Sequence, residues 1–187
     1  KKEKLKATEK FLTEVVEDIS IMRLEQNIGK GFALQLAMQY SADNNYTHML
    51  TMDGDGQHLA SEIEPMIIAA QKDPEAMIIG ARKFDQDVPR ISQFGRHFSN
   101  FWVYYQTGQK TSDSQSGMRI YPLEKIKNFY FFTKKYGFEI EVLVKSLWAG
   151  IPVIDVDVAV LYPKERISHF HKVKDNLRIT LLNIWLI

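Results

Sequence analysis

The sequence contains no cysteine, and this absence excludes several kinds of protein chemistry at once. Disulfide bridges, thiolate nucleophiles and cysteine-ligated zinc all need a residue that is missing here. Lysine and arginine together number 24 against 23 aspartates and glutamates, so the formal net charge is only +1. Because nucleic-acid-binding domains usually carry a marked positive excess, we expect no nucleic acid partner.

Long apolar runs are missing as well. No stretch reaches the ~20 apolar residues that a membrane-spanning helix needs. The first ten residues, KKEKLKATEK, are charged and lead into no apolar core of a secretion signal. With 187 residues and no internal repeat, the chain is too short for two ordinary domains. We expect one cytoplasmic domain that lies at the cytoplasmic face of the membrane.

Short apolar segments alternate with segments of helical spacing through the first half of the chain. This alternation predicts a parallel sheet with helices on both faces. The predicted strands are ISIMRL (Ile19–Leu24), THMLTMD (Thr47–Asp53) and AMIIGAR (Ala76–Arg82), and the predicted helices are Lys1–Glu17, Phe32–Ala42 and Ser61–Gln71.

Beyond Arg90 the pattern changes. A long aromatic-rich helix, which we expect to pack in the core, is followed by the polar loop TSDSQSGMRIYP. A helix around Glu139 to Ala149 and the strand IPVIDVDVAVLY come next. That strand alternates polar and apolar residues, so one of its faces is predicted to be polar.

Two aspartates, Asp53 and Asp55, follow the apolar segment HMLTM, and each is succeeded by glycine. Ligands of parallel sheets collect at the carboxyl ends of strands, and residues two apart in an extended segment project to the same side. Two carboxylates ~4 Å apart repel by about 4 kcal/mol at an effective dielectric near 20, and a divalent cation removes that cost. Oxygen ligands favour Mg²⁺ or Mn²⁺, and Gln57 can add a carbonyl oxygen or hold a metal-bound water. A solvated Asp-Gly turn is the alternative.

Five segments resemble those of the family 2 glycosyltransferases and occur in the same order. They are NIGKGFAL, YTHMLTMDGDGQH, IIGAR, DSQSGMR and GIPVIDVDVAV. The similarity runs from about Asn27 to about Phe170 and is greatest to the dolichol-phosphate mannose synthase and polyprenyl-phosphate glycosyltransferase branch. It implies an α/β GT-A fold, a Rossmann-like sandwich with a mostly parallel central sheet, in a catalytic domain over residues 1–170. Family members have two further N-terminal strands that hold the base and ribose, so we expect an N-terminally incomplete domain.

The resemblance also implies roles for single residues. Asp53 and Asp55 would hold the Mg²⁺ or Mn²⁺ ion that bridges the donor diphosphate, with Gln57 as third ligand. The implied donor-binding residues are Asn27, Gly29, Lys30 and Asp53, and the residues implied to face phosphates or the acceptor are Arg82, Arg119, Arg166 and Ser168. The alternatives are a plain glycine-marked helix start for the first group and ordinary surface arginines for the second.

Asp113 matches the aspartate of the family's Asp-x-x-Ser-Gly-Phe-Arg-like stretch, with Met118 in place of the phenylalanine. The resemblance makes Asp113 and Arg119 the candidate catalytic residues, with Asp113 as the base or the group that positions the acceptor. Glu139 and Glu141 are second candidates; both fit a helix surface, which we expect for Glu141. A hydroxyl acceptor needs such a base, whereas a phosphate monoester with a second pKa of about 6 does not.

The sequence therefore predicts a metal-dependent inverting glycosyltransferase that moves a sugar from a nucleotide diphosphate donor to a polyprenyl phosphate. The alternatives are a family 2 transferase acting on a hydroxyl of a glycolipid or surface polysaccharide, a nucleotidyltransferase, and a non-catalytic nucleotide-sugar-binding module. Residues 171–187 are basic and then apolar, which predicts a C-terminal helix that contacts the membrane.

Overall fold

The computed structural model describes residues 21–22, 24, 26–83, 90–135 and 137–161, and gives no side-chain detail for residues 90–94. Within these ranges the elements are α1 (Lys30–Asp43), β1 (His48–Thr51), a 3₁₀ turn (Ala60–Glu62), α2 (Ile63–Lys72), β2 (Met77–Arg82), α3 (Arg90–Thr107), β3 (Arg119–Pro122), α4 (Leu123–Ile126), α5 (Phe138–Trp148) and β4 (Val153–Val158). None of these helices is both long and apolar enough to cross a membrane.

Two of the predicted helices, Lys1–Glu17 and 171–187, lie outside the described residues. The same holds for half of the predicted strand Ile19–Leu24, and its described residues Ile21, Met22 and Leu24 belong to no strand.

The four strands form one sheet in the order β1-β3-β2-β4. Three of them, β1, β2 and β4, run in the same direction, and β2 pairs with β4 in parallel, with Ile78 opposite Ile154. The exception is β3, which lies between β1 and β2 and is antiparallel to both. We predicted a polar loop over TSDSQSGMRIYP, and that was wrong for the last four residues of this segment, which form β3 (Arg119–Pro122). They are too few to show a period in sequence, and only pairing on both sides makes them a strand.

Alternate residues of β2 fill two separate cores, one on each face of the sheet. Met77 and Ile79 pack with α1, α3 and α5 on one face, whereas Ile78 packs with Met66 of α2 on the other. Successive side chains of a strand point to opposite faces, so a sheet covered on both sides needs strands that are apolar throughout. The run AMIIGAR has this composition.

One face of helix α3 is buried against the rest of the protein, and the opposite face is exposed. Val103 is fully buried, whereas the rings of Phe101, Tyr104 and Tyr105 are 56%, 48% and 66% exposed. The buried residues of its described part are Ser99 and Val103, and none of its described aromatic residues is fully buried, so the expectation that this helix packs its aromatic residues in the core was wrong.

The start of α1 lies directly on the chain segment that leads into α5. The amide of Phe32 donates to the carbonyl of Lys134 at 3.1 Å. A Cβ atom on Gly31 would lie 2.7 Å from both the Lys135 carbonyl oxygen and the Phe138 Cβ. Only a glycine permits this approach, which fixes the first turn of α1 relative to the first turn of α5.

The Glu141 carboxylate holds the same segment from the side of α5. It accepts hydrogen bonds from the Phe132 amide at 3.0 Å and the Thr133 amide at 2.9 Å, and it pairs with Lys145 at 2.7 Å. The side chain is fully buried. Our expectation of a helix-surface Glu141 was therefore wrong, because contacts with a loop eight to nine residues earlier bury it.

Replacing Gly31 with alanine tests the close approach of α1 to the 134–138 segment. We expect G31A to lower the free energy of unfolding by about 1–3 kcal/mol, because the added methyl group overlaps backbone and a packed ring residue. Gly95→Ala is the matched control, since a Cβ there would meet nothing within 4 Å. We expect it to be neutral or to stabilise the helix by up to about 1 kcal/mol. Urea denaturation measures both, and equal effects would contradict the packing described.

Glu141→Gln tests the buried anchor through its pH dependence. Burial raises the pKa of Glu141, but hydrogen bonds from Lys145, Thr133 and Phe132 outweigh it and hold the pKa below the ordinary 4.5. The carboxylate therefore stabilises the fold above pH 4.5, and this contribution is lost as pH falls through the lowered pKa. We expect E141Q to cost about 2 kcal/mol at neutral pH and progressively less in acid. Unfolding curves across this pH range measure the difference; a cost independent of pH would contradict it.

Candidate active site

The two aspartates lie on a turn that follows β1. The Asp55 Oδ1 accepts a hydrogen bond from the Gln57 amide at 3.0 Å, and Gly56 has a φ of +76°, in the left-handed region that favours glycine. The chain from Asp53 to Asp55 is therefore bent. We had assumed an extended segment, and that was wrong. A Cβ on Gly54 or Gly56 would meet nothing within 4 Å, so this side of the turn is open to a ligand.

The Lys30 ammonium joins two carboxylates from distant parts of the chain. Its Nζ lies 2.5 Å from the Asp53 Oδ1 and 2.6 Å from the Glu139 Oε1. Burial lowers the pKa of Lys30, but the charges of Glu139 and Asp53 more than compensate, and the pKa lies above 10.5. Lys30 therefore carries its positive charge at any physiological pH and neutralises Asp53.

The Asp53 carboxylate also lies against the loop before β3. A Cβ atom on Gly117 would overlap the Asp53 carboxylate, so a larger residue there would displace that side chain from its present position. The Thr51 hydroxyl donates to the Gly117 carbonyl at 3.0 Å and fixes this loop to the end of β1. The carboxylate is thereby confined between a backbone segment and an ammonium group.

Glu139 lies in the first turn of α5, where a negative charge is favoured by the free amide groups of the helix. The residue is 5% exposed, and its Oε2 is buried without a hydrogen-bond partner among the described residues. Glu139 is thus not a surface residue of the helix, which we had considered as its alternative. It is a buried acid with one oxygen on Lys30 and one oxygen unused.

A second ion pair lies at the end of β2. The Arg82 Nε lies 2.6 Å from the Asp113 Oδ2, and its Nη2 lies 2.9 Å from Oδ1. Asp113 is fully buried, and Arg96 approaches it at 3.9 Å while donating to the Arg82 carbonyl at 2.9 Å. Because both carboxylate oxygens are engaged, this geometry does not support Asp113 as a base. Instead, Asp113 fixes the orientation of the Arg82 guanidinium.

Arg119 is also fully buried, and its geometry does not support the expected contact with a phosphate. The guanidinium donates to three carbonyl groups: those of Ser116 at 2.8 Å, Ser114 at 2.7 Å and Glu139 at 2.6 Å. These bonds join the loop that carries Gly117 to the start of α5. Arg119 therefore contributes to the site by fixing the backbone around Asp53 and Glu139.

His58 lies among the charges of the site. Burial lowers the pKa of His58; the carboxylates of Asp53 and Asp55 oppose this effect, while Arg82 and Lys30 add to it. Its backbone also bridges Val160 beyond β4. We had considered His58 structural or incidental, and its role stays a prediction, although charges from both ion-pair clusters act on its pKa. Its position directly after DGDGQ was the available signal.

The remaining predicted residues are placed as follows. Asn27 is exposed and precedes α1, and Gly29, with a φ of +124°, is the residue before its first turn. Gln57 is 6% exposed, and its backbone carbonyl accepts a hydrogen bond from the Leu161 amide at 2.8 Å. Arg166 and Ser168 lie outside the described residues.

The chemistry of the donor groups fits a divalent cation. Asp53 and Asp55 offer only oxygen ligands, which suit Mg²⁺ and Mn²⁺. Within the described ranges, no three His, Asp or Glu side chains are gathered as a complete metal shell. A cation held by Asp53 and Asp55 would thus take further oxygens from substrate or solvent, as Mg²⁺ usually does. Asp53, Asp55 and Glu139 with Lys30 leave two negative charges, which match one such ion.

Several known proteins are similar to this chain. The sequence profile of Glycosyl transferase family 2 matches residues 5–129. An uncharacterised protein of Methanocaldococcus jannaschii is 25% identical over 158 residues, which are 81% of this chain and 65% of that protein. The UDP-N-acetylglucosamine–dolichyl-phosphate N-acetylglucosaminyltransferase of Methanococcus voltae is 24% identical over 144 residues, 74% of this chain and 57% of that enzyme. The chain thus spans less than two thirds of the length of either relative.

Among solved structures, a similar one is the glucosyl-3-phosphoglycerate synthase from Mycobacterium tuberculosis in complex with Mn²⁺ and UDP-glucose. The match has a TM-score of 0.62 at 12% identity and covers 91% of this chain and 56% of the synthase. At this identity the similarity shows the fold alone, and it confirms the predicted GT-A fold. The placement in the dolichol-phosphate mannose synthase branch stays a prediction.

Asp113→Asn tests whether the Arg82 pair is a buried structural element. We expect D113N to lower the free energy of unfolding by about 3 kcal/mol, because it leaves a largely buried guanidinium without its counter-charge. Asp157→Asn is the matched control: Asp157 pairs with Lys83 at 3.2 Å, but both side chains are about two-thirds exposed. Its loss should cost less than about 1 kcal/mol. Denaturant unfolding compares the two, and similar small costs would contradict a buried role for Asp113.

Proposed function

The chain belongs to glycosyl transferase family 2, and from that premise we propose that it transfers a sugar from a nucleotide diphosphate donor to a polyprenyl-type lipid phosphate. We further propose that the reaction depends on Mg²⁺ or Mn²⁺ and inverts the configuration of the sugar. The observation that carries the proposal is that Lys30 lies on Asp53 of the Asp53–Asp55 turn, while the loop that carries Gly117 and Asp113 reaches both Asp53 and the Arg82 guanidinium. The carboxylates of the turn suit a divalent cation, and the two basic side chains suit phosphate groups.

On the donor side, Asp53 and Asp55 would hold the divalent cation, which neutralises the leaving diphosphate when bound. Lys30 lies next to Asp53 and supplies a second positive charge for the same diphosphate. Asn27 and Gly29 precede Lys30, where backbone amides at the start of α1 favour an anion. Gln57 remains a proposed third ligand. Together these groups would stabilise the negative charge that develops on a departing nucleoside diphosphate.

On the acceptor side, Arg82 is the described cation best placed for a phosphate. Asp113 holds its guanidinium in a fixed plane, so less side-chain freedom is lost when a phosphate binds. An acceptor phosphate oxygen would attack the anomeric carbon as the bond from that carbon to the diphosphate breaks. No proton must be removed, because a phosphate monoester with a second pKa of about 6 is already ionised.

The engagement of the acidic residues favours a phosphate over a hydroxyl acceptor. Asp113 has both oxygens on Arg82, and Glu139 is buried with one oxygen on Lys30. The second oxygen of Glu139 is unpaired but buried, so neither carboxylate is exposed to the hydroxyl of an acceptor. The dolichyl-phosphate enzyme of Methanococcus voltae supports the same acceptor class. Arg166 and Ser168 remain proposed phosphate contacts, and the basic-apolar segment 171–187 remains a proposed membrane contact at the cytoplasmic face.

A transfer assay tests the proposal. The chain, and a longer version with its natural preceding residues, is incubated with nucleotide-sugars, Mn²⁺ and either a polyprenyl phosphate or the matching alcohol. We expect a glycosyl phosphate lipid of inverted configuration and release of a nucleoside diphosphate, read by mass spectrometry and NMR. Asp53→Asn with Asp55→Asn should lower transfer at least ~100-fold, because the cation is lost from the leaving group. Asp157→Asn is the matched control and should leave transfer unchanged.

Three results would contradict the proposal in different ways. Transfer to the alcohol alone would favour a family 2 transferase with a hydroxyl acceptor. Release of pyrophosphate would favour a nucleotidyltransferase. Binding of Mn²⁺ and nucleotide-sugar by both versions without any transfer would favour a non-catalytic binding module.

A further inference from the structure

Lys30 is shared almost equally between two acids that differ in their surroundings. Its Nζ is 2.5 Å from Asp53 and 2.6 Å from Glu139. The side chain of Asp53 is one-third exposed, on the turn that would hold a divalent cation, whereas the side chain of Glu139 is buried. In the absence of a cation, the ammonium thus neutralises the very carboxylate that the cation needs.

We propose that Glu139 is a positioning residue that takes Lys30 over from Asp53 when the divalent cation binds. This inference rests on the proposed function and adds to it a residue that controls how readily Asp53 accepts the metal. A cation at Asp53 repels the ammonium beside it, and the ammonium needs another counter-charge within reach. Glu139 already contacts Lys30, and its Oε2 is buried and unpaired among the described residues. That oxygen can accept the hydrogen bond that Asp53 gives up.

The backbone around this exchange is fixed, so the side chain of Lys30 alone has to move. The close approach of Gly31 to the 135–138 segment sets the start of α1. On the other side, Arg119 donates to the Glu139 carbonyl at 2.6 Å and sets the start of α5. A short rotation of a four-carbon side chain therefore suffices to transfer the ammonium.

The net charge of the site explains the presence of both Lys30 and Glu139. With Glu139, the charge of Lys30 is cancelled and the Asp53–Asp55 turn keeps two negative charges for a divalent cation. Without Glu139, Lys30 would have Asp53 as its single carboxylate partner and would hold it more tightly. Without Lys30, nothing would compete with the cation at Asp53. The two side chains thus act on metal affinity in opposite directions, and the effect of Glu139 depends on Lys30.

A double-mutant cycle on Mn²⁺ affinity tests this dependence. Free Mn²⁺ is counted by electron paramagnetic resonance, without nucleotide, for the full chain and for Lys30→Met, Glu139→Gln and the double variant. We expect K30M to bind Mn²⁺ at least ~5-fold more tightly and E139Q at least ~5-fold more weakly. In the K30M background, E139Q should change the affinity by less than about 2-fold, because the competing ammonium is gone. Glu124→Gln is the control, since Glu124 pairs with Lys127 on the exposed surface of α4, and should change nothing.

Several outcomes overturn the inference. An equal E139Q effect in both backgrounds would make Glu139 a direct ligand or an independent charge. Unchanged affinity in both single variants, with Mn²⁺ bound by the wild type, would refute the exchange and leave the proposed transfer intact. No Mn²⁺ binding by the wild type would refute both the exchange and the proposed metal dependence. If circular dichroism shows that E139Q does not fold, Glu139→Asp replaces it, because the shorter acid loses Lys30 and should weaken Mn²⁺ binding in the same way.

Discussion

The confinement of the Asp53 carboxylate is the constraint on which the rest of the site depends. One oxygen lies on the Lys30 ammonium, and the carboxylate group as a whole lies against Gly117. Every neighbouring feature serves to keep these partners in place: the glycines at the start of α1, the hydrogen bond from Thr51 and the buried guanidinium of Arg119. A carboxylate held in this way has little freedom to turn away from a ligand. Its electrostatic environment is therefore set before any ligand arrives.

Two of the charged residues that resemble catalytic groups act on the backbone or on another side chain. Arg119 donates to three carbonyls, and Asp113 holds Arg82 by two bonds. The reason is desolvation: a fully buried charge must be compensated by partners on all sides, and such partners leave no free face for a substrate. Lys30 and Asp53 are each about one-third exposed, so solvent can reach both charges. Burial thus separates the scaffold of the site from its proposed binding groups.

The antiparallel strand β3 is what brings the scaffold and the binding groups together. It lies between β1 and β2 and starts at Arg119, so the loop before it passes the ends of both neighbours. Gly117 reaches Asp53 at the end of β1, and Asp113 reaches Arg82 at the end of β2. One loop therefore links the proposed cation side of the site to its proposed phosphate side.

The sequence by itself determined the strand–helix alternation, the two-sided burial of β2 and the position of the two aspartates just after β1. These features depend on residues close together in the chain, where periodicity and turn chemistry are visible. The tertiary structure alone decided that β3 is a strand, that Glu141 is buried and that Asp113 and Arg119 point inward. It also decided that Lys30 meets Glu139, 109 positions further along the chain. Burial and charge pairing depend on which distant segments come into contact, and a local pattern carries no record of those contacts.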